Sequence, residues 1–224
     1  MLAPIKTPLV AKKMFPNYVW DIATDDKVLY LTFDDGPTPE ITNWVLGTLK
    51  TFHAKATFFC IGKNIEAHPD IFQNIVNDGH AIGNHTYNHL KGWKTVTEDY
   101  VTNVLKAERV LSSEFRVQGS EFQKTTDSEI STLFRPPYGQ IKPSQGKKLL
   151  TLGYKIIMWD VLSFDWDKNV SKETCLKNVT SKATNGSIVV FHDSEKAFGN
   201  MKYALPKVLE HFSNKGYTFK ALMF

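Results

Sequence analysis

The stretch "LTFDDGP" ends an apolar run in two adjacent acids, Asp34 and Asp35. At the end of a buried strand their mutual repulsion has little water to screen it, so such a pair needs neutralising partners. Downstream, "HTYNH" places His85 and His89 four residues apart. That spacing presents both imidazoles on one face of a helical turn or tight loop, where they can chelate one metal ion. Two His and one Asp leave open positions on Zn²⁺ or a similar divalent ion, as catalysis by such an ion requires. One of the adjacent acids then serves as the ligand. The other remains free to take a proton from water whose pKa the metal lowers to about 7. His192, in "VVFHD", is left to donate a proton to a leaving group. Arg135, in "RPPYG", sits before two prolines, whose stiff backbone would hold its guanidinium fork towards a carboxylate, the free acid being the natural partner. Trp93, Trp159 and Trp166 are packing residues by default, but aromatic walls beside a cleft also stack on pyranose rings, and Trp166 is the strongest candidate for that use.

These residues are far apart in the chain, so only the elements that carry them can bring them together. Seven short apolar runs rich in β-branched and aromatic residues begin near 28, 55, 80, 133, 154, 187 and 217. Helical spacing fills 39–52, 64–78, 96–113, 143–152, 171–184 and 201–214, with Thr38 and Pro39 as a start signal for the first. Alternating strands and helices imply a parallel sheet of right-handed βαβ units, either a closed barrel or an open doubly wound sheet. In a barrel, functional residues lie beyond the carboxyl ends of the strands. Here the first run ends in Asp34-Asp35, the third leads to His85 and His89, and the fourth carries Arg135 and Tyr138. The fifth ends around Asp160 and the sixth in His192-Asp193, so all would share one rim.

Composition narrows the class. The 224 residues suit a single α/β domain, and 42% hydrophobic content with 15 Phe supplies its core. The net charge of +4 is spread without a Lys/Arg block, which argues against a nucleic-acid footprint. No apolar stretch approaches the length of a membrane span, and the start has no recognisable export signal, giving a cytoplasmic default with export left open. Cys60 and Cys175 have no CxxC partner and read as buried free thiols. The polar stretch 112–131 reads as a surface connection ending in a short helix.

With "TFDDGP", "HTYNH", "RPPYG", a form of "DxxDW" and "VVFHD" in that order, the chain from about 27 to 220 resembles the NodB-homology polysaccharide deacetylases, carbohydrate esterase family 4. The resemblance implies a distorted seven-stranded (β/α) barrel in one domain, residues 27–224, with residues 1–26 an extension packing on it. It implies metal-dependent removal of acetyl groups from N-acetylated sugars or polysaccharides, such as chitin, peptidoglycan or exopolysaccharide. It makes Asp34 the base, Asp35, His85 and His89 the ligands of one divalent ion (Zn²⁺, with Co²⁺, Mn²⁺ or Ni²⁺ also fitting), and His192 the acid. Arg135 would hold Asp34, and the Tyr138 N–H would help form the oxyanion hole. Pro137, Tyr138, Trp166 and Val190 would meet substrate, and the partner expected is an N-acetylated glycan bound by a monomer.

Two departures stand out. Leu162 occupies the place of the first Asp of "DxxDW"; Asp160, two residues earlier and so on the same face of a strand, is expected to take over the salt bridge to Arg135. Val190 replaces a Leu in the acetyl pocket, a loss of about 1 kcal/mol at most. Three other readings compete. A mononuclear iron oxygenase uses two His and a carboxylate, but on an all-β scaffold and without a base or a late His. A catalytically weak glycan-binding homologue would be expected to have lost a ligand or the base. A related amidohydrolase would act on a small non-sugar amide.

Overall fold

The computed structural model describes residues 4–116 and 132–224. Its strands are β1 (Val28–Asp34), β2 (Thr57–Cys60), β3 (Ala81–Asn84), β4 (Leu133–Phe134), β5 (Lys155–Ile156), β6 (Val161–Leu162), β7 (Ile188–His192) and β8 (Thr218–Phe219). The helices are α1 (Leu9–Met14), α2 (Ile41–Thr51), α3 (Gly62–Ala67), α4 (Pro69–Asn77), α5 (Thr97–Arg116), α6 (Pro143–Thr151), α7 (Lys172–Thr180) and α8 (Glu195–Ser213). The strands form one curled parallel sheet in the order β5-β4-β3-β2-β1-β7-β6, with β8 pairing the first residues of β1. β1 lies inside the sheet between β2 and β7 and is buried along its length except at Tyr30, as a strand covered on both faces must be. Phe33 packs between Phe58 and Phe191 of its neighbours, with ring centroids 5.0 and 6.1 Å away. Cys60 and Cys175 are buried free thiols.

Each of the seven apolar runs forms a strand, but "YKIIMWDV" is divided. Its first part, β5, pairs with β4 at one edge of the sheet, and its end, β6, pairs with β7 at the other. The chain between them crosses the barrel's open seam, so an eighth strand appears where periodicity shows a single run. Residues 5–22 run along this seam. Leu162 N–H donates to Ile5 O, Thr7 N–H to Asp160 O, Met158 N–H to Val19 O and Ile22 N–H to Gly186 O. Exposed strand edges invite pairing with other chains, and this segment covers them.

The helices differ from their sequence patterns at the boundaries. The pattern over 64–78 becomes α3 and α4 because Pro69 forces His68 out of the helical region, to φ −139° and ψ 58°. α2 begins at Ile41 without a side-chain cap; Thr38 does not cap it, and its N–H instead donates to Thr42 Oγ1. α8 starts six residues before 201, its first turns masked in the pattern by Gly199 and Asn200, both weak helix formers. The connection assigned to 112–131 is helical up to Arg116, and the remainder, with its expected short helix, lies outside the described residues. No helix of the described residues is long and apolar enough to cross a membrane.

Candidate active site

Strand register sets the site. Asp34 is opposite His192 across β1 and β7, and Asn84 is opposite Phe134 across β3 and β4. The residues that follow, Asp35, His85 and Arg135, therefore emerge together at the carboxyl rim. Asn84 pins the histidine loop, donating to Val104 O and accepting from Thr86 N–H. Three residues of the rim, Asp35, His89 and Tyr138, have φ of 84°, 59° and 60°, in the left-handed region. Non-glycine residues are held there at a cost of about 1–3 kcal/mol each, and such strain clusters at functional sites.

Asp35, His85 and His89 each offer a ligand atom, all within 4.8 Å of one another. His89 Nε2 lies 3.2 Å and His85 Nε2 3.7 Å from Asp35 Oδ1. His85 Nδ1 is 2.8 Å from Arg135 O, so this nitrogen carries the proton and Nε2 keeps its lone pair for a metal. Burial pushes His85 down to about 4, which keeps the ring neutral, as a ligand must be. Although burial works against it, the surrounding imidazoles, His89 first, hold Asp35 below the carboxylate range. Asp35 Oδ1 is buried without a hydrogen-bond partner. A buried orphan carboxylate oxygen facing two imidazole nitrogens fits a divalent ion, and three protein donors leave positions open for other ligands.

Arg135 is fully buried and pairs with Asp34, Nη1 to Oδ1 at 2.8 Å. Asp160 does not reach this pair. Its carboxylate bonds Lys12 Nζ at 2.6 Å and Ser187 Oγ at 2.6 Å, with Lys6 Nζ at 3.1 Å. Two residues along a strand preserve the face but move the side chain about 6–7 Å away from the rim, down to the N-terminal segment. The expected Asp160–Arg135 salt bridge is therefore absent. Leu162 lines the cleft instead.

Sequence reading gave no role to Asp165, which the structure couples to His192. Its Oδ1 is 2.8 Å from His192 Nδ1, and its Oδ2 accepts the His192 N–H at 2.7 Å. Burial works to lower the imidazole pKa, but the carboxylates around it, Asp165 first and then Asp35 and Asp34, together raise it to about 9. The signal lay in "LSFDW", where Asp165 is the second Asp of the motif. Asp193 is also buried. It accepts from Gly36 N–H and Thr42 Oγ1, and its N–H donates to Asp34 O, so it clamps the turn after β1. A Cβ on Gly36 would lie 2.0 Å from Asp193 Oδ2, so only glycine fits there.

These groups face a cleft of about 800 Å³ that Asp34, Asp35, His85, His89 and His192 line together. Trp159, Trp166, Leu162 and Val190 form its apolar wall. The Trp166 ring meets His192 edge-on with centroids 4.7 Å apart. Tyr138 is 55% exposed at the opposite side, its ring 4.5 Å from that of His89. Its N–H donates to no acceptor among the described residues. Pro137, expected to meet substrate, is buried beneath the wall; Pro136, Tyr138 and Gly139 face the cleft instead, because the turn over 137–139 folds Pro137 inward. Trp93 is exposed and away from the cleft.

The sequence model of the family described as polysaccharide deacetylase matches residues 21–157. The chain is 36% identical over 194 residues to a peptidoglycan-N-acetylglucosamine deacetylase of Bacillus cereus, covering 86% of this chain and 66% of that protein, just under two thirds of its length. It is 32% identical over 215 residues to a second Bacillus cereus protein of the same name, covering 94% of each. Among solved structures it resembles the Bc1960 peptidoglycan N-acetylglucosamine deacetylase, crystallised with 4-naphthalen-1-yl-N-oxidanyl-benzamide. The TM-score is 0.83 at 32% identity, covering 96% of this chain and 95% of that one.

Proposed function

This chain belongs to the polysaccharide deacetylase family, carbohydrate esterase family 4, and from that premise we propose that it hydrolyses the acetamido group of an N-acetylated glycan, with the N-acetylglucosamine of peptidoglycan as the leading substrate. The observation that carries the reading is the shared cleft in which an Asp-His-His donor set stands beside an Arg-held carboxylate and an Asp-held imidazole.

Asp35, His85 Nε2 and His89 Nε2 would hold a divalent ion, Zn²⁺ first among Zn²⁺, Co²⁺, Mn²⁺ and Ni²⁺, which would supply polarisation of the acetyl carbonyl and acidification of the attacking water. Asp34, held by Arg135, accepts the proton from that water as the nucleophile adds to the carbonyl carbon. The Tyr138 N–H is left free for the oxygen that gains charge. His192, kept protonated through neutral pH by Asp165, gives its proton to the amine as the C–N bond breaks, which releases acetate and a free amino sugar. Val190, Leu162 and Trp166 enclose the acetyl methyl in apolar surface, and Trp166 and Tyr138 offer rings to the sugar.

The test is acetate release from peptidoglycan fragments, chitooligosaccharides, poly-N-acetylglucosamine and acetylxylan, after stripping and restoring metals. Metal-dependent release from an N-acetylated glycan is expected. Silence on every glycan with every metal, beside turnover of a small non-sugar amide, would overturn the glycan assignment.

A further inference from the structure

A guanidinium has five N–H donors and no acceptor, so a fully buried one must find an acceptor for nearly every hydrogen. Arg135 makes four such bonds: Nε to Ile157 O at 3.2 Å, Nη2 to Met158 O at 2.8 Å, and Nη1 to both Asp34 Oδ1 at 2.8 Å and Thr32 Oγ1 at 2.6 Å. The Phe59 ring, 4.1 Å from Cζ, closes one face of the plane. Among the described residues Asp34 is the only acid paired with Arg135, since Leu162 stands where the family resemblance expects a second one and Asp160 is engaged by Lys12. The remaining acceptors are neutral.

Two of them are backbone carbonyls, which any sequence would provide. Thr32 is different. It is fully buried in the middle of β1, where a valine of the same shape would serve the packing. Its single hydroxyl hydrogen goes to Val189 O, 2.9 Å away on β7, so its oxygen can only accept from Arg135. Both hydrogens of Nη1 are thereby used, one on the hydroxyl and one on Asp34. With the two carbonyls holding Nε and Nη2, the hydroxyl completes the set that fixes the guanidinium fork, and through it the position of Oδ1.

We propose that Thr32 is a positioning residue for the base, its hydroxyl holding the Nη1 edge of Arg135 beside Asp34. The role rests on the deacetylase reading for its catalytic consequence and on geometry alone for the fixed fork. Loss of the hydroxyl leaves one Nη1 hydrogen buried without a partner, and Arg135 turns to relieve it, carrying Asp34 off line. A shift on the order of 1 Å in such a group costs about a hundredfold in rate.

The experiment compares wild type, Thr32→Val and Thr32→Ser, each loaded with Zn²⁺, on the glycan that wild type turns over best, alongside ¹⁵N NMR of the arginine Nη groups. In wild type the Arg135 Nη1 and Nη2 resonances are expected to be distinct, with hydrogens slow to exchange. Thr32→Val is expected to average them and to lower kcat by roughly ten- to hundredfold, with KM and Zn²⁺ affinity within about twofold. Thr32→Ser restores both signals. An averaged Arg135 signal in wild type overturns the proposal even where Thr32→Val does not fold. So does a Thr32→Val enzyme with unchanged kcat and distinct resonances, one whose loss lies in KM, or a Thr32→Ser enzyme that fails to recover. A wild type inactive on every glycan, yet with a fixed Nη pattern that Thr32→Val abolishes, overturns the deacetylase reading and leaves the positioning of Arg135 standing.

Discussion

Adjacent carboxylates with different neighbours acquire different tasks. Asp35 faces two imidazole nitrogens with a buried oxygen that has no hydrogen-bond partner, while Asp34 turns to Arg135. Asp35→Asn is expected to weaken metal binding by more than about a hundredfold, since even a residue that merely holds a ligand is worth about 10- to 100-fold. Asp34→Asn should keep the metal and lose about 10²- to 10⁴-fold in kcat, the range for general acid–base groups. Isothermal titration with Zn²⁺ and steady-state kinetics on both variants check the pair, and an exchange of the two phenotypes would invert the roles. His192 offers a pH test. Its pKa is raised to about 9, so the protonated acid persists through neutral pH, and kcat is expected to fall as pH rises past about 9. Asp165→Asn removes the largest raising influence and should bring that alkaline limb down towards the ordinary imidazole range of about 6.5. An alkaline limb unmoved in Asp165→Asn would assign the proton to another group.

At the scale of elements, the instructive case is the run from Tyr154 to Leu162. Its apolar composition reads as one strand, and nothing in its periodicity marks the place where it leaves β4 and reaches β7. That crossing places Asp160 against Lys12, Lys6 and Ser187, below the rim, where it fastens the N-terminal segment instead of orienting the base. Asp160→Asn is therefore expected to leave kcat within about twofold at every pH while lowering stability by on the order of 1–3 kcal/mol, the cost of weakening a buried, charge-assisted set of hydrogen bonds. Kinetics across pH beside a urea melt separate the outcomes, and a stable variant with a displaced pH profile would return Asp160 to the active site. β1 was legible for the opposite reason: Leu29, Leu31 and Phe33 give one face an unbroken apolar pattern and its end is marked by paired acids, so local sequence and final environment agree.

Among the described residues the parallel sheet does not close by strand pairing across one seam, and residues 5–22 lie along that seam with hydrogen bonds to both of its sides. We propose that this extension is an integral part of the barrel. Deleting residues 1–22 is expected to expose the β5 and β6 edges and to lower Tm by on the order of 10 °C or cause association. Thermal melts and light scattering of the shortened chain test this, and a monomer of unchanged Tm would show the seam to be stable without its cover.

The sequence by itself determined the chemistry on offer: the residue types of the acids, imidazoles and guanidinium, their positions at strand ends, and through them the family. These are local properties, since a strand that ends in Asp-Asp or His-Asp carries those groups to the rim wherever the strand goes. Tertiary structure alone decided the partners. Whether Arg135 met Asp160 or Thr32, whether His192 met Asp165, and whether Pro136 or Pro137 faced the cleft depended on register, strand depth and the route of the chain across the seam. Each is a matter of a few ångströms between segments distant in the chain, and local composition carries no term for such distances.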